Sequence, residues 1–329
     1  MSENLNEILV RKILNSIPKN KKAINYLMDI LNIGQESTYR RMRGDIPFTF
    51  EEIVKLSSLL NFSIDEIIGR NVRINDYFSD SEQKDLPASD KHFFLTHLDY
   101  YNILESTSTA KEIEIMYSLN RLISFFVVDF EKLFKFNYFM WVNQSNNVSL
   151  NTPFSEIEIP SYIASIQENI KSKLALGKNV VFIGSQYFIL RLIRDVQYYY
   201  HRNLISDTEL HEIKDEMMCF LDKIEKYIQT GSNGNGSAYQ FYLSLINVDM
   251  NSVYCSFDDS VISRYWSYLN IAVNRESNDI IAIHKSWIYS LKRSSILISR
   301  SNEIAQSEFF NQQRKFVETI TNDLFFYYG

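Results

Sequence analysis

Cysteine is nearly missing: two in 329 residues, Cys219 and Cys255, too few and too far apart for a disulfide framework or a thiolate metal site. Proline and glycine are scarce as well, with five prolines, all at or before Pro160, and nine glycines. That excludes collagen-like and Pro/Gly-rich low-complexity chains and leaves the second half with few breaks in regular structure. No apolar run comes close to the ~20 residues that a membrane-spanning helix needs; the Phe125 to Val128 stretch is typical of the longest. The opening residues, MSENLNEILVRK, place Glu3 and Glu7 before any apolar stretch and show no small-residue cleavage site, so nothing there directs secretion. These absences predict a reducing, cytoplasmic protein that does not enter a membrane.

What is present is a folding composition. Hydrophobic residues make up 45% and charged residues 22%, which excludes wholesale disorder. The aromatic share is high at 14%, with 21 Tyr and 23 Phe. At 38.8 kDa the chain exceeds one average domain. Its net charge of -6 is unevenly spread: residues 1–70 hold 10 Lys+Arg and 9 Asp+Glu, so the acidity belongs to the remainder. Basic residues in the front segment cluster as Lys19, Lys21, Lys22 and as Arg40, Arg41, Arg43, which allows a local basic face.

Residues 1–70 read as five short helices. Ile8, Leu9, Ile13, Leu14 and Ile17 keep helical spacing up to Pro18, where the ring ends the helix. A second helix, about 20–31, turns Ile24, Leu27, Met28 and Leu31 to one face, and Asn32 and Gly34 supply a turn. A third runs from about Gln35 to Arg43 and stops at Gly44, the residue type that most easily takes a left-handed cap. Thr49 precedes Glu52 by three, a capping box opening a fourth helix with Ile53, Leu56, Leu59 and Leu60 inward. Ser63 and Glu66 repeat that spacing for a fifth helix ending at Gly69.

The stretch Leu27-Met28-Asp29-Ile30-Leu31-Asn32-Ile33-Gly34-Gln35-Glu36-Ser37-Thr38-Tyr39-Arg40-Arg41-Met42-Arg43-Gly44, with the tail FEEIVKLSSLLNFSIDEII, resembles the lambda-repressor-like (Cro/repressor, XRE-type) helix-turn-helix domain. The resemblance covers about a fifth of the chain. It implies a recognition helix at about 35–43 in the major groove of double-stranded DNA. DNA contacts would come from Gln35, Glu36, Ser37, Thr38, Arg40, Arg41 and Arg43, with Lys21 and Lys22 on the backbone.

Two registers of that helix stay open. The family commonly has a small residue where Met28 stands, Gly where Asn32 stands, and two apolar residues three apart on the third helix. One register puts Thr38 and Arg41 on the core side. The other puts Tyr39 and Met42 there, and the cost of a buried unpaired guanidinium favours it.

Residues 71–90 are rich in Asp, Ser and Asn, hold Pro87 and read as a linker. The region 91–329 reads as an α+β domain, mainly helical with a small antiparallel sheet. It has an aromatic segment of mixed type over 92–144, a helix from Pro160 to about Leu174 and a short strand at 179–183. Helices follow at 185–200 and 206–229, then a Gly/Asn turn at 230–236 and strands at 239–248, 252–257 and 265–273. Two final helices divide near 294–301.

Catalytic chemistry finds no footing. The five His (His92, His97, His201, His211, His284) make no HxxxH or HExxH spacing, and neither Cys has a partner signature. The run GSNGNG lacks the Lys-Ser/Thr of a P-loop. Tyr198, Tyr199 and Tyr200 point in different directions on a helix, which favours packing over a ligand cage. The expectation is therefore a DNA-binding regulator, not an enzyme, with no metal and no cofactor. Residues 91–329 are expected to serve homodimerisation, sensing of a small-molecule or protein effector, or both. The alternative is a protein-interaction adaptor whose helix-turn-helix does not bind DNA.

Overall fold

Short helices close the N-terminal unit because its apolar residues recur at helical spacing and its turns fall at Pro18, Asn32, Gly44 and Asn61. The computed structural model describes residues 5–18, 21–62, 64, 88–145, 148–174, 179–234, 236–267, 271–274 and 278–321. The chain divides into two units, 1–86 and 87–329.

In the first unit, α1 (Leu5–Ser16), α2 (Ala23–Leu31), α3 (Gln35–Met42) and α4 (Phe50–Leu60) surround a core of Leu9, Ile13, Leu27, Leu31, Phe48, Leu56 and Leu60. Burying each such aliphatic side chain is worth ~1.5–3 kcal/mol. Asn32 caps α2 in the left-handed region at φ 55, a conformation that Gly and, after it, Asn adopt most readily. Gly44 follows α3 at φ 80, as its position predicts. The Thr49–Glu52 capping box opens α4. Leu14 and Leu59 differ from expectation: both are exposed, since each lies at the rim of its helix's apolar stripe. The expected fifth helix, 63–69, lies outside the described residues apart from Ile64.

The second unit begins with α5 (Ala88–Ser108). Residues 88–90, expected as linker, belong to its first turn, where buried Asp90 accepts a hydrogen bond from Tyr162 Oη at 2.8 Å. The rest of the 71–90 stretch is outside the described residues. Then come β1 (Ile113–Leu119), α6 (Glu131–Gln144), α7 (Ser161–Leu174), β2 (Asn179–Gly184), α8 (Phe188–His201) and α9 (Asp207–Thr230). The chain continues through β3 (Ala238–Ser244), β4 (Asn251–Phe257), β5 (Ser260–Ser267), β6 (Ile271–Asn274), α10 (Asn278–Arg293), β7 (Ser295–Leu297) and α11 (Glu303–Glu318).

The unit is α+β and largely helical, as expected, but its sheet is neither small nor purely antiparallel. Seven strands run in the order β6-β5-β4-β1-β2-β3-β7, and three neighbours in it, β1, β2 and β3, are parallel. Parallel strands need helical crossovers; α6 and α7 connect the first pair, α8 and α9 the second. The expected strand at 265–273 is divided between β5 and β6. The aromatic richness of 92–144 is core: Phe93, Phe125, Phe134, Phe136 and Phe139 are buried. Tyr199 joins Phe136 and Phe139 at ring distances of 6.0 and 4.8 Å, while Tyr198 is exposed and Tyr200 bonds Asp207.

Candidate nucleic-acid interface

Helix α3 contains little that wants to be buried, yet one side of it is anchored. Thr38 is 1% exposed and donates its hydroxyl to Gly34 O at 3.1 Å, so a residue expected to contact DNA is instead a core residue. Tyr39, by contrast, is 42% exposed, while Met42 is partly buried against the core. The core side of α3 is therefore made by Thr38 and Met42, with Arg41 beside them at the edge.

Arg41 escapes the penalty of burial because it is not alone. Its Nε donates to Glu52 Oε2 at 2.9 Å, with both side chains 14% exposed, and a second guanidinium nitrogen reaches Ser37 O at 3.4 Å. The same Glu52 oxygen accepts the Thr49 N–H at 2.9 Å, and Glu52 N–H donates back to Thr49 Oγ1. Partial burial works to raise the Glu52 pKa, but the hydrogen bonds from Arg41 and Thr49 hold it below the ordinary carboxylate value. One carboxylate thus caps α4 and locks α3 against it. Arg41, expected to touch DNA, is spent on that lock.

The outward face of α3 is what remains. Gln35, Glu36, Tyr39, Arg40 and Arg43 are exposed, and at 100° per residue they span about 140° of arc. Arg43 meets Asp45 at 3.1 Å and Glu36 at 3.7 Å in open solvent, where such pairs exchange readily. Among the described residues Arg40 has no side-chain partner. Ser37 is half-buried at the edge of this face, and Lys21 and Lys22 are exposed just ahead of α2. Neither α2, capped by Lys22, nor α3, capped by Gly34, has a side-chain cap, whereas α4 has a full capping box. Their first N–H groups are left for an outside acceptor such as phosphate. Tyr39, which the sequence reading did not place among the candidate contacts, is exposed on the same face, four residues from both Gln35 and Arg43.

Elsewhere two histidines, His97 and His284, are buried in hydrogen-bonded positions. His97 Nε2 meets Ser124 Oγ at 2.8 Å and its Nδ1 meets Phe93 O at 2.8 Å. His284 lies between Ser263 and Ser252 at 2.7 and 2.9 Å. Among the described residues no group of three or more His, Cys, Asp or Glu could hold a metal ion, and no helix is long and apolar enough to cross a membrane.

Residues 2–75 match the family model described as the BetR domain, a helix-turn-helix-type DNA-binding domain. The match covers the N-terminal unit alone, and it bears out the helix-turn-helix reading at that level. No curated protein and no solved structure matches the chain.

Proposed function

We propose that the chain is a cytoplasmic, sequence-specific transcriptional regulator, a binding protein and not an enzyme. Its N-terminal unit is of the lambda-repressor-like (XRE) subtype, and α3 enters the major groove of double-stranded DNA. The observation that carries this reading is the division of labour on α3: Thr38 and Arg41 hold the helix, and Gln35, Glu36, Tyr39, Arg40 and Arg43 are presented together. Guanidinium groups suit guanine edges and phosphates, an amide suits adenine, and Tyr39 offers an apolar surface to a thymine methyl. The uncapped starts of α2 and α3, with Lys21 and Lys22, suit backbone phosphates. The C-terminal unit would join two chains so that two copies of α3 meet half-sites about one helical turn apart.

The test is selection of bound sequences from a random duplex pool with the full chain, repeated with Arg40→Ala and Arg43→Ala together. A two-fold-symmetric site recovered by wild type and lost by the variant is the expected result. Affinity should fall steeply with salt, in proportion to the phosphates neutralised. Absence of any motif at every salt concentration would remove the reading. The adaptor alternative is favoured by one observation, the exposed Phe50 and Val54 one turn apart on α4. It predicts that the double variant leaves function unchanged.

A further inference from the structure

Within the C-terminal unit a cavity of about 370 Å³ lies between the sheet and the helices on one of its faces. Strand register builds its floor. Parallel pairing sets Ile115, Val180 and Tyr239 in one row and Tyr117, Phe182 and Phe241 in the next. Residues two apart share a face of a strand, and all six line the cavity. The Tyr117 and Phe182 rings stack with centroids 5.3 Å apart at 13°, and Phe182 and Phe241 at 6.4 Å and 30°. Gly184 follows on β2, and a Cβ there would stand 2.8 Å from the Phe241 ring, so only glycine lets that ring lie across the strand. Leu104 of α5, Leu174 of α7 and Phe220 and Ile224 of α9 form the roof.

Polar residues line much of this space alongside the apolar ones, and one buried hydroxyl has a donor hydrogen to spare. Tyr100 and Tyr117 both line the cavity and both are buried; Tyr117 donates to the Tyr100 hydroxyl at 3.5 Å, the outer limit of a hydrogen bond. A hydroxyl carries one donor hydrogen, and among the described residues that of Tyr100 finds no acceptor. Burial pushes both phenols far up, so both remain donors. The lining lysines are already paired, Lys223 with Asp129, Lys173 with Glu105 at 2.6 Å and Lys171 with Glu168 at 3.5 Å, so the spare donor is the phenol rather than a cation.

We propose that this cavity binds a planar aromatic small molecule that carries a hydrogen-bond-accepting oxygen. Its ring packs against the edges of the Tyr117, Phe182 and Phe241 row, whose faces are stacked on one another, and its oxygen accepts from Tyr100. The volume falls within the ~300–1,000 Å³ range of small-molecule sites, and edge-to-face contact with the aromatic row supplies the orientation. The site is complete within the C-terminal unit and stands whether or not the N-terminal unit binds DNA.

The full chain is to be titrated with 2-naphthoate and with naphthalene, each displacing the fluorescent probe 1-anilinonaphthalene-8-sulfonate. One-to-one saturable binding is expected, with naphthoate about tenfold or more the better competitor, the size of one hydrogen bond to a charged acceptor. Tyr100→Phe keeps the ring and should erase most of that advantage. Hydrogen exchange on the wild-type chain locates the site without any variant, and naphthoate should slow exchange in β1, β2, β3 and α9. Equal competition by the two compounds, an advantage that survives Tyr100→Phe, or protection absent from those elements would overturn the proposal.

Discussion

In the N-terminal unit the charged groups nearest the core, Arg41 and Glu52, stay partly wet and pair across a helix contact. In the C-terminal unit the titratable groups at greatest depth are neutral: His97 and His284 are fully enclosed, each satisfied by hydroxyl or carbonyl partners. The contrast follows from size. Short helices cannot bury every polar residue of a helix that must also face outward, so a charge is tolerated at the seam if it is paired. A seven-stranded sheet covered by helices encloses whole side chains, and desolvation then removes the charge itself. Carboxylate protonation acts on both units, since the C-terminal one has a comparable seam pair in Arg264–Asp99, while imidazole protonation should act on the C-terminal unit alone.

The sharpest way to break this comparison is through the cores. Phe134→Ala should lower the stability of the C-terminal unit alone by about 3–5 kcal/mol, and Leu27→Ala that of the N-terminal unit alone by about 2–5 kcal/mol, by cavity formation. Calorimetry of the full chain would then show one transition moving in each variant; both transitions moving together would make the units a single cooperative body.

Next is the pH dependence. Burial depresses His97 and His284 to about 4 from an ordinary 6.5. Between those values the unfolded chain binds the protons and the folded chain does not. Stability is therefore fully present above pH 6.5 and lost as pH falls toward 4, by up to about 3 kcal/mol for His97. Glu52, held low, stabilises above its ordinary 4.5 and loses that contribution only as pH falls below it. Melting followed between pH 7 and pH 4 should lower the C-terminal transition first; a flat profile for that unit would sink the assignment.

The smallest effect tests the lock. Glu52→Gln leaves Arg41 half-buried without its counter-ion and should cost about 1–3 kcal/mol in the N-terminal unit. Arg40→Ala, on an exposed site, should stay within about 0.5 kcal/mol of wild type. Equal costs for the two would show that the pairing carries nothing.

Much of this was legible beforehand. The stops at Pro18, Asn32 and Gly44 and the Thr49–Glu52 box are local devices, and local devices can be read residue by residue. So can the amphipathic α7 and α9, whose periodicity needs no partner. Thr38 and Arg41 were misread, though Met42 was not, because the partner of Arg41, Glu52, stands eleven residues away and already had a local duty as a cap. The parallel trio was missed because β1, β2 and β3 carry no hairpin turns between them, and IEIMYSL within an aromatic stretch shows no clean alternation.

The sequence alone determined the helices of the N-terminal unit, their caps, the basic stretch on α3 and the aromatic wealth of the second half, because each depends on residues within a turn or two of one another. Tertiary structure alone decided which arginine faces outward and which is held, and which aromatic rings form a solid core and which a floor beneath an open space. Those outcomes rest on pairings between residues far apart in the chain, such as Tyr117 with Phe182 and Phe182 with Phe241, whose proximity exists only once the strands are in register.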